Sequence, residues 1–136
     1  SCIHDYESSP SVLSHRYKDM EAFFKTGLPG RQALTQNASY LGQPFLLTEY
    51  GGIALEADSI GENWGYNESA LSEQDYESRI CGLTEAVLEL PNCCGYCYTQ
   101  LTDVMQEVNG LLCADRTPKL PLETLYQIFS KNPEIN

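Results

Sequence analysis

A glutamate at the end of a short apolar run is the first residue in this sequence that could do chemistry. Residues 45 to 50 read FLLTEY, which is typical of a strand buried on both faces of a parallel sheet, and two glycines follow it. Parallel α/β sheets and barrels bind their ligands at the carboxyl ends of their strands, where Glu49 lies. This position favours Glu49 over the other acidic residues as a functional group, and a salt-bridged or solvated strand-end glutamate is the alternative.

Two of the six cysteines, Cys94 and Cys97, have the CxxC spacing of a zinc or redox motif. Residues three apart on a strand point to opposite faces, so this pair is not expected to hold one metal ion. Neither His4 nor His15 is near it in sequence, and the sequence has no second CxxC. We therefore expect no metal, no cofactor and free thiols. Free thiols are typical of a reducing compartment, which predicts a cytoplasmic protein.

The surrounding sequence predicts the elements that position these residues. They are a helix over residues 9 to 26, a strand over 45 to 50, a helix from 72 to 90, a strand over 94 to 99 and a helix from about 121. Ser72 can cap the second helix, with Leu71 and Tyr76 spaced as a hydrophobic staple. Residues 53 to 71 are largely polar and contain two scattered glycines, which predicts a surface loop. The alternation of helices and strands predicts an α/β fold with a parallel sheet.

Composition excludes several classes of partner. The 136 residues carry 8 Lys and Arg against 19 Asp and Glu, which gives a formal net charge of -11. A charge this negative repels phosphate backbones and anionic lipids, so we expect neither nucleic acid nor a membrane as a partner. No run approaches the roughly 18 apolar residues of a membrane span, and the length suits one domain.

Three segments carry a family resemblance: residues 44 to 52 (PFLLTEYGG), 95 to 103 (GYCYTQLTD) and 115 to 119 (DRTPK). In order and spacing they resemble the C-terminal part of the catalytic barrel of glycoside hydrolase family 2, which includes β-galactosidases, β-glucuronidases and β-mannosidases. The resemblance implies a partial (β/α)8 TIM barrel: the end of strand six at residues 4 to 6, then strands seven and eight with their helices. A full barrel needs about 250 residues, so residues 1 to 136 would be a C-terminal fragment of the glycosidase barrel.

The resemblance also implies roles for four side chains. Glu49 would be the nucleophile of a retaining mechanism, which uses two carboxyl groups about 5 to 5.5 Å apart. Tyr6 matches the family tyrosine whose hydroxyl holds the nucleophile, and an ordinary half-buried aromatic is the alternative. Tyr98 would take the place of the tryptophan that many members use as a sugar platform. Trp64 either lies over the site or only packs its own loop.

The second carboxyl group of the pair is absent from its expected place. In the family the acid/base follows an asparagine and comes well before the nucleophile. Asn67 and Glu68 imitate that motif but lie after Glu49, which we interpret as a coincidence. The resemblance therefore implies that the chain by itself is inactive.

The substrate is the least constrained part of the prediction. Family β-glucuronidases carry an Asn-x-Lys element for the uronate carboxylate, whereas residues 107 to 110 (EVNG) offer no lysine. This favours a neutral carbohydrate substrate, most simply a β-galactoside. A non-catalytic carbohydrate-binding or interaction module is the alternative function, in which the aromatic residues Tyr98, Trp64 and Tyr66 would hold the sugar. The unpaired edges of a cut barrel also predict homo-oligomers.

Overall fold

Three parallel strands form the centre of the protein. The computed structural model describes residues 1–132. Strands β1 (Cys2–His4), β2 (Phe45–Gly51) and β3 (Cys93–Thr99) lie side by side in that order, and both neighbouring pairs are parallel. The predicted α/β fold with a parallel sheet is confirmed, and both strands predicted from the apolar runs are present.

Four α-helices connect and cover the strands: α1 (Pro10–Arg16), α2 (Met20–Thr26), α3 (Glu73–Leu88) and α4 (Leu122–Phe129). A short 3-10 helix, Glu56–Asp58, follows β2. The prediction of one helix over residues 9 to 26 is wrong, because the chain leaves the helical conformation between α1 and α2. Asp19 starts a second helix there, since its side chain accepts a hydrogen bond from the Ala22 N–H.

At the start of α3 the predicted N-terminal cap is present, but the predicted hydrophobic staple is not. Ser72 caps the helix by accepting a hydrogen bond from the Asp75 N–H, as predicted. The predicted staple is wrong, because Leu71 is 76% exposed while Tyr76 is fully buried. Asp75 fixes this corner instead, since its carboxylate accepts a 2.9 Å hydrogen bond from the Leu71 N–H.

The helices pack against one face of the sheet, and the core lies between them. Phe45 and Tyr50 are fully buried on this face, where Phe45 stacks against Tyr17, the residue that follows α1. The Tyr50 hydroxyl bonds to Thr84 of α3 at 2.8 Å. Leu46, by contrast, is 39% exposed on the opposite face of β2. The sheet therefore has one covered face and one open face within residues 1–132.

A buried lysine joins the loops that follow β2 and β3. Lys119 lies 2.9 Å from the Asp103 carboxylate and 3.0 Å from that of Asp58, and it donates a 2.8 Å hydrogen bond to the Val108 carbonyl. The DRTPK segment thus holds two loops together.

In the part of the chain that the structure describes, no helix is long and apolar enough to cross a membrane.

Candidate active site

Glu49 and Tyr6 meet at the carboxyl ends of β2 and β1. The Tyr6 hydroxyl donates a 2.5 Å hydrogen bond to Oε2 of Glu49. The Asp5 N–H donates to the Glu49 carbonyl at 2.9 Å, which holds the two chain segments in register. The structure therefore brings together the two residues that the sequence singled out as nucleophile and holder.

An extra residue in β2 turns Glu49 toward this cluster. Ile3 pairs with Leu47, but the next residue of β1, His4, pairs with Glu49, so Thr48 has no partner of its own. The pairing with β3 is irregular over the same stretch. Strict alternation would put Glu49 on the helix-packed face together with Leu47. The bulge instead directs its carboxylate to the open face, a role that bulges commonly have beside functional sites.

The chain after β1 alternates between the site and the core. His4 and Tyr6 both reach Glu49, and the His4 Nδ1 atom lies 3.1 Å from Oε2. Asp5 points the other way, is only 5% exposed and accepts hydrogen bonds from Arg16 and Tyr17 at the end of helix α1. This buried ion pair fixes the orientation of the residues on either side of Asp5. Sequence reasoning missed His4, although its spacing of two from Tyr6 was the available signal.

The surroundings of Tyr6 keep its phenol protonated. Burial and the hydrogen bond to the Glu49 carboxylate raise the pKa of Tyr6 well above its ordinary value, and contact with Thr99 of β3 opposes part of that rise. Tyr6 therefore remains a hydrogen-bond donor at neutral pH. A protonated phenol and an ionised carboxylate make a charge-assisted hydrogen bond.

Two further aromatic rings extend the cluster into the loop after β2. The ring of Tyr66 stacks on that of Tyr6, with centroids 3.5 Å apart and an interplanar angle of 1°. Trp64 meets Tyr66 edge to face at 5.3 Å and is 45% exposed. The Trp64 backbone bonds to the carbonyl of Gln106 and the N–H of Val108, so its loop is fixed. Sequence reasoning named both rings as possible sugar contacts of a binding module but did not predict that Tyr66 stacks on Tyr6.

The two glycines after β2 each make room for a tyrosine ring. Both have a positive φ, and a Cβ on Gly52 would lie 2.6 Å from the ring of Tyr66. A Cβ on Gly51 would lie 2.2 Å from the ring of Tyr98. The glycine pair therefore admits one ring on the site and another ring in the core.

The structure does not bring Tyr98 to the site. Its ring packs edge to face against Tyr50 and against Phe129 of α4, and its hydroxyl is buried with no hydrogen-bond partner among residues 1–132. Burial raises the pKa of Tyr98 well above its ordinary value. This placement corrects the predicted sugar-platform role, because alternation along β3 directs Thr99 rather than Tyr98 toward the cluster.

Asn67 and Glu68, the pair that imitates the family acid/base motif, lie beside the cluster. The Asn67 side chain donates a 2.7 Å hydrogen bond to the Tyr6 carbonyl, and Glu68 is exposed.

An open cleft of about 480 Å³ borders the cluster and has His4, Tyr6 and Asn67 in its lining. Its size falls in the range of small-molecule sites. Among residues 1–132, no group of three or more His, Cys, Asp or Glu is arranged to hold a metal ion.

In fold, the chain is similar to part of known glycoside hydrolase structures. It superposes on a β-glucuronidase of Bifidobacterium dentium complexed with coumarin-3-O-glucuronide with a TM-score of 0.59 and 18% identity, over 99% of this chain and 21% of that one. It superposes on a GH2 β-galacturonidase from Eisenbergiella tayi bound to glycerol with a TM-score of 0.62 and 20% identity, over 99% of this chain and 24% of that one. The chain thus spans less than a quarter of the length of either structure. No protein-family model matches it, and no curated protein matches it in sequence.

Proposed function

We propose that residues 1 to 136 are a C-terminal part of the catalytic (β/α)8 barrel of a family 2 glycoside hydrolase, with Glu49 as the nucleophile. The observation that carries the proposal is the hydrogen bond from Tyr6 to Glu49 at the carboxyl ends of two adjacent parallel strands. The three ordered sequence segments and the similarity in fold to two glycosidases support it.

The chemistry is a double displacement at the anomeric carbon of a sugar. One Glu49 oxygen bonds to that carbon while the bond to the leaving oxygen breaks, and the acid/base carboxyl protonates the leaving oxygen. Water then attacks the same carbon, gives its proton to the acid/base, and releases Glu49 as a carboxylate. The acid/base belongs to a part of the barrel that precedes these residues, so the chain alone holds half of the catalytic pair.

A neutral β-glycoside, most simply a β-galactoside, is the proposed substrate. Residues 107 to 110 lack the lysine expected of a uronate site, and their polar groups are already paired. Asn109 is fully buried, accepts a hydrogen bond from Gln100 at 2.7 Å and donates one to Glu107 at 3.1 Å. The two similar structures are named as uronidases, but at 18% and 20% identity their substrates do not transfer to this chain. The six free thiols favour the cytoplasm as the location of the protein.

A mechanism-based label tests the assignment directly. The complete polypeptide containing these residues is incubated with a dinitrophenyl 2-deoxy-2-fluoro-β-galactoside, which forms the glycosyl-enzyme and hydrolyses slowly. Peptide mapping is expected to find the ester on Glu49, and none in Glu49→Gln. Glu62→Gln, a change at an exposed glutamate in the following loop, is the matched control and retains the label. A label on another residue, or full activity in Glu49→Gln, contradicts the proposal.

A non-catalytic carbohydrate-binding module is the second candidate function. The exposed Trp64 and Tyr66 favour it, because fixed and exposed aromatic rings suit contact with sugar C–H groups. This function predicts that the complete polypeptide binds galactosides but neither hydrolyses them nor becomes labelled. The labelling experiment therefore separates the two candidates.

A further inference from the structure

Two side chains converge on a single oxygen of Glu49, and only one of them, Tyr6, was expected: the Tyr6 hydroxyl donates a hydrogen bond to Oε2, and the His4 Nδ1 atom lies 3.1 Å from the same oxygen. We propose that His4 is a second donor that positions this carboxylate, and that the two donors leave Oε1 as the atom that bonds to the sugar. The inference rests on the proposed function of Glu49 as a nucleophile. It adds a residue and an atomic assignment to that function.

The geometry supports this division of the two oxygens. Oε2 accepts the Tyr6 hydroxyl at 2.5 Å and lies 3.1 Å from His4 Nδ1. A carboxylate oxygen has two lone pairs, so the Tyr6 hydroxyl and an N–H of His4 would together saturate Oε2. No hydrogen bond from any residue in the described range 1–132 reaches Oε1. The Glu49 side chain is 37% exposed, which leaves Oε1 open to a ligand.

The strand fixes the approach of His4. It is the β1 residue that pairs with Glu49, and it lies two residues before Tyr6, so both side chains extend from the same side of the chain. The His4 side chain is half exposed, and its Nδ1 atom lies within hydrogen-bonding distance of Oε2.

The other charged groups around His4 are engaged elsewhere. Arg31, from the loop before β2, donates a 2.7 Å hydrogen bond to the backbone carbonyl of His4. Arg16 of α1 binds Asp5 and Glu7, which lie on the far side of the alternating segment. Glu49 is therefore the carboxylate that the His4 imidazole faces.

This contact determines which ring nitrogen of a neutral His4 carries the hydrogen. To donate to Oε2, the Nδ1 atom must be protonated, so a neutral His4 is held in the Nδ1–H form. Which nitrogen of a histidine carries the proton is set by such contacts. The Nε2 atom is then free and faces solvent or ligand.

The two donors act most strongly when Glu49 carries its full charge. In the first step Oε1 forms the bond to the anomeric carbon, the carboxylate charge is lost, and Oε2 becomes the ester carbonyl. In the second step water displaces Oε1 and the charge returns to the carboxylate. Charge-assisted donors stabilise that returning charge, so loss of His4 is expected to slow the second step more than the first.

Kinetics in the complete polypeptide test the role with a pair of matched variants. His4→Phe keeps a flat ring without a donor, and His4→Asn keeps an N–H group near the position of Nδ1. With a dinitrophenyl β-galactoside, His4→Phe is expected to lower kcat by roughly ten- to a hundredfold and to lower KM as the glycosyl-enzyme accumulates. His4→Asn is expected to recover part of the loss, and His15→Phe, at an exposed histidine on α1, to behave as wild type. Unchanged kcat in His4→Phe overturns the role, as does a His4→Asn variant no better than His4→Phe.

A spectroscopic test of the contact needs no activity. The chain has two histidines, so ¹⁵N NMR of the 136-residue protein, with His15→Gln for assignment, resolves the His4 ring. In the neutral imidazole the Nδ1–H form is expected, and Glu49→Ala is expected to lose it. An Nε2–H form in wild type overturns the proposed contact, independently of the activity of the enzyme. Full activity in Glu49→Gln instead overturns the proposed function, and this inference with it, so the two failures are distinguishable.

Discussion

Tyr6 and Glu49 are 43 residues apart in the chain, yet the Tyr6 hydroxyl and the Glu49 carboxylate are joined by a 2.5 Å hydrogen bond. The contact depends on the pairing of β1 with β2, on the extra residue in β2 and on the buried ion pair behind Asp5. A change at any of these three features is expected to disturb either the contact or the fold that supports it. The first two predictions separate the contact itself from its support.

Tyr6→Phe removes the hydroxyl and keeps the ring that stacks on Tyr66. Loss of a hydrogen bond to a charged group is expected to lower kcat of the complete polypeptide by about 10- to 100-fold. Stability is expected to change little, because the ring packing is retained. Initial rates with an aryl β-galactoside, together with thermal unfolding, measure the two effects. Wild-type kcat in Tyr6→Phe would contradict the role of Tyr6 as a holder of Glu49.

Asp5→Asn is expected to act through folding rather than chemistry. Asp5 is 5% exposed and pairs with Arg16, so its neutralisation leaves a poorly solvated guanidinium beside it. Loss of one partner of a buried ion pair costs about 3 kcal/mol of unfolding free energy. Urea unfolding at neutral pH measures the loss.

The control for Asp5→Asn is Glu21→Gln, which breaks an exposed pair with Lys25 one turn along α2. An exposed pair of this kind contributes about 0.5 kcal/mol or less. Equal losses in the two variants would show that burial of the Asp5 pair has no special weight.

The positions of the strands were predictable from the sequence, but the orientation of Glu49 was not. An apolar run bounded by glycines indicates a buried strand, and β2 and β3 follow that rule. Period-two alternation, however, assigns Glu49 to the helix-packed face, and only the unpaired Thr48 moves it. A bulge of this kind depends on pairing with both neighbouring strands, so one segment read alone does not indicate it.

The residues of the site were predictable to different degrees, because some of them come together only through contacts between distant segments. Tyr6 followed from a resemblance, whereas Tyr66 joins the cluster only because Gly52 lets its ring approach the Tyr6 ring. The predicted role of Tyr98 as a sugar platform was wrong. The pairing of β2 with β3 is irregular, so the position of Tyr98 along the strand did not indicate the face on which its side chain lies. The break between α1 and α2 was also not predicted, because the periodic spacing of apolar residues continues across it.

Trp64→Ala tests the aromatic part of the cluster. The Trp64 ring is fixed through its backbone and 45% exposed, so its loss is expected to weaken ligand binding without changing the chemical step. KM for an aryl β-galactoside is expected to rise about tenfold, which corresponds to about 1.4 kcal/mol, while kcat stays near wild type. Trp64→Phe keeps an aromatic face and is expected to recover much of the binding. An unchanged KM in Trp64→Ala would mean that this ring only packs its loop.

The 136-residue chain by itself is expected to hydrolyse no aryl β-galactoside measurably. Glu49 supplies an attacking group, but no second carboxylate of the described chain joins its cluster to protonate the leaving oxygen. Release of nitrophenol from purified chain, compared with Glu49→Gln prepared in parallel, measures this. Turnover that disappears in Glu49→Gln would require an acid/base among the glutamates of the loop after β2, such as Glu56, Glu62 or Glu68.

The isolated chain is also expected to associate with itself. Within residues 1–132, β1 and β3 each pair only with β2, so each has one unpaired edge, and the open face of the sheet exposes Leu46. Unpaired parallel edges beside an apolar face favour contact between chains. Light scattering at increasing concentration is expected to show a dimer or a larger species. Leu46→Lys places a charge on the open face without entering the helix-packed core, and is expected to shift the equilibrium toward the monomer. A strict monomer at high concentration in wild type would mean that the loops already cover both edges.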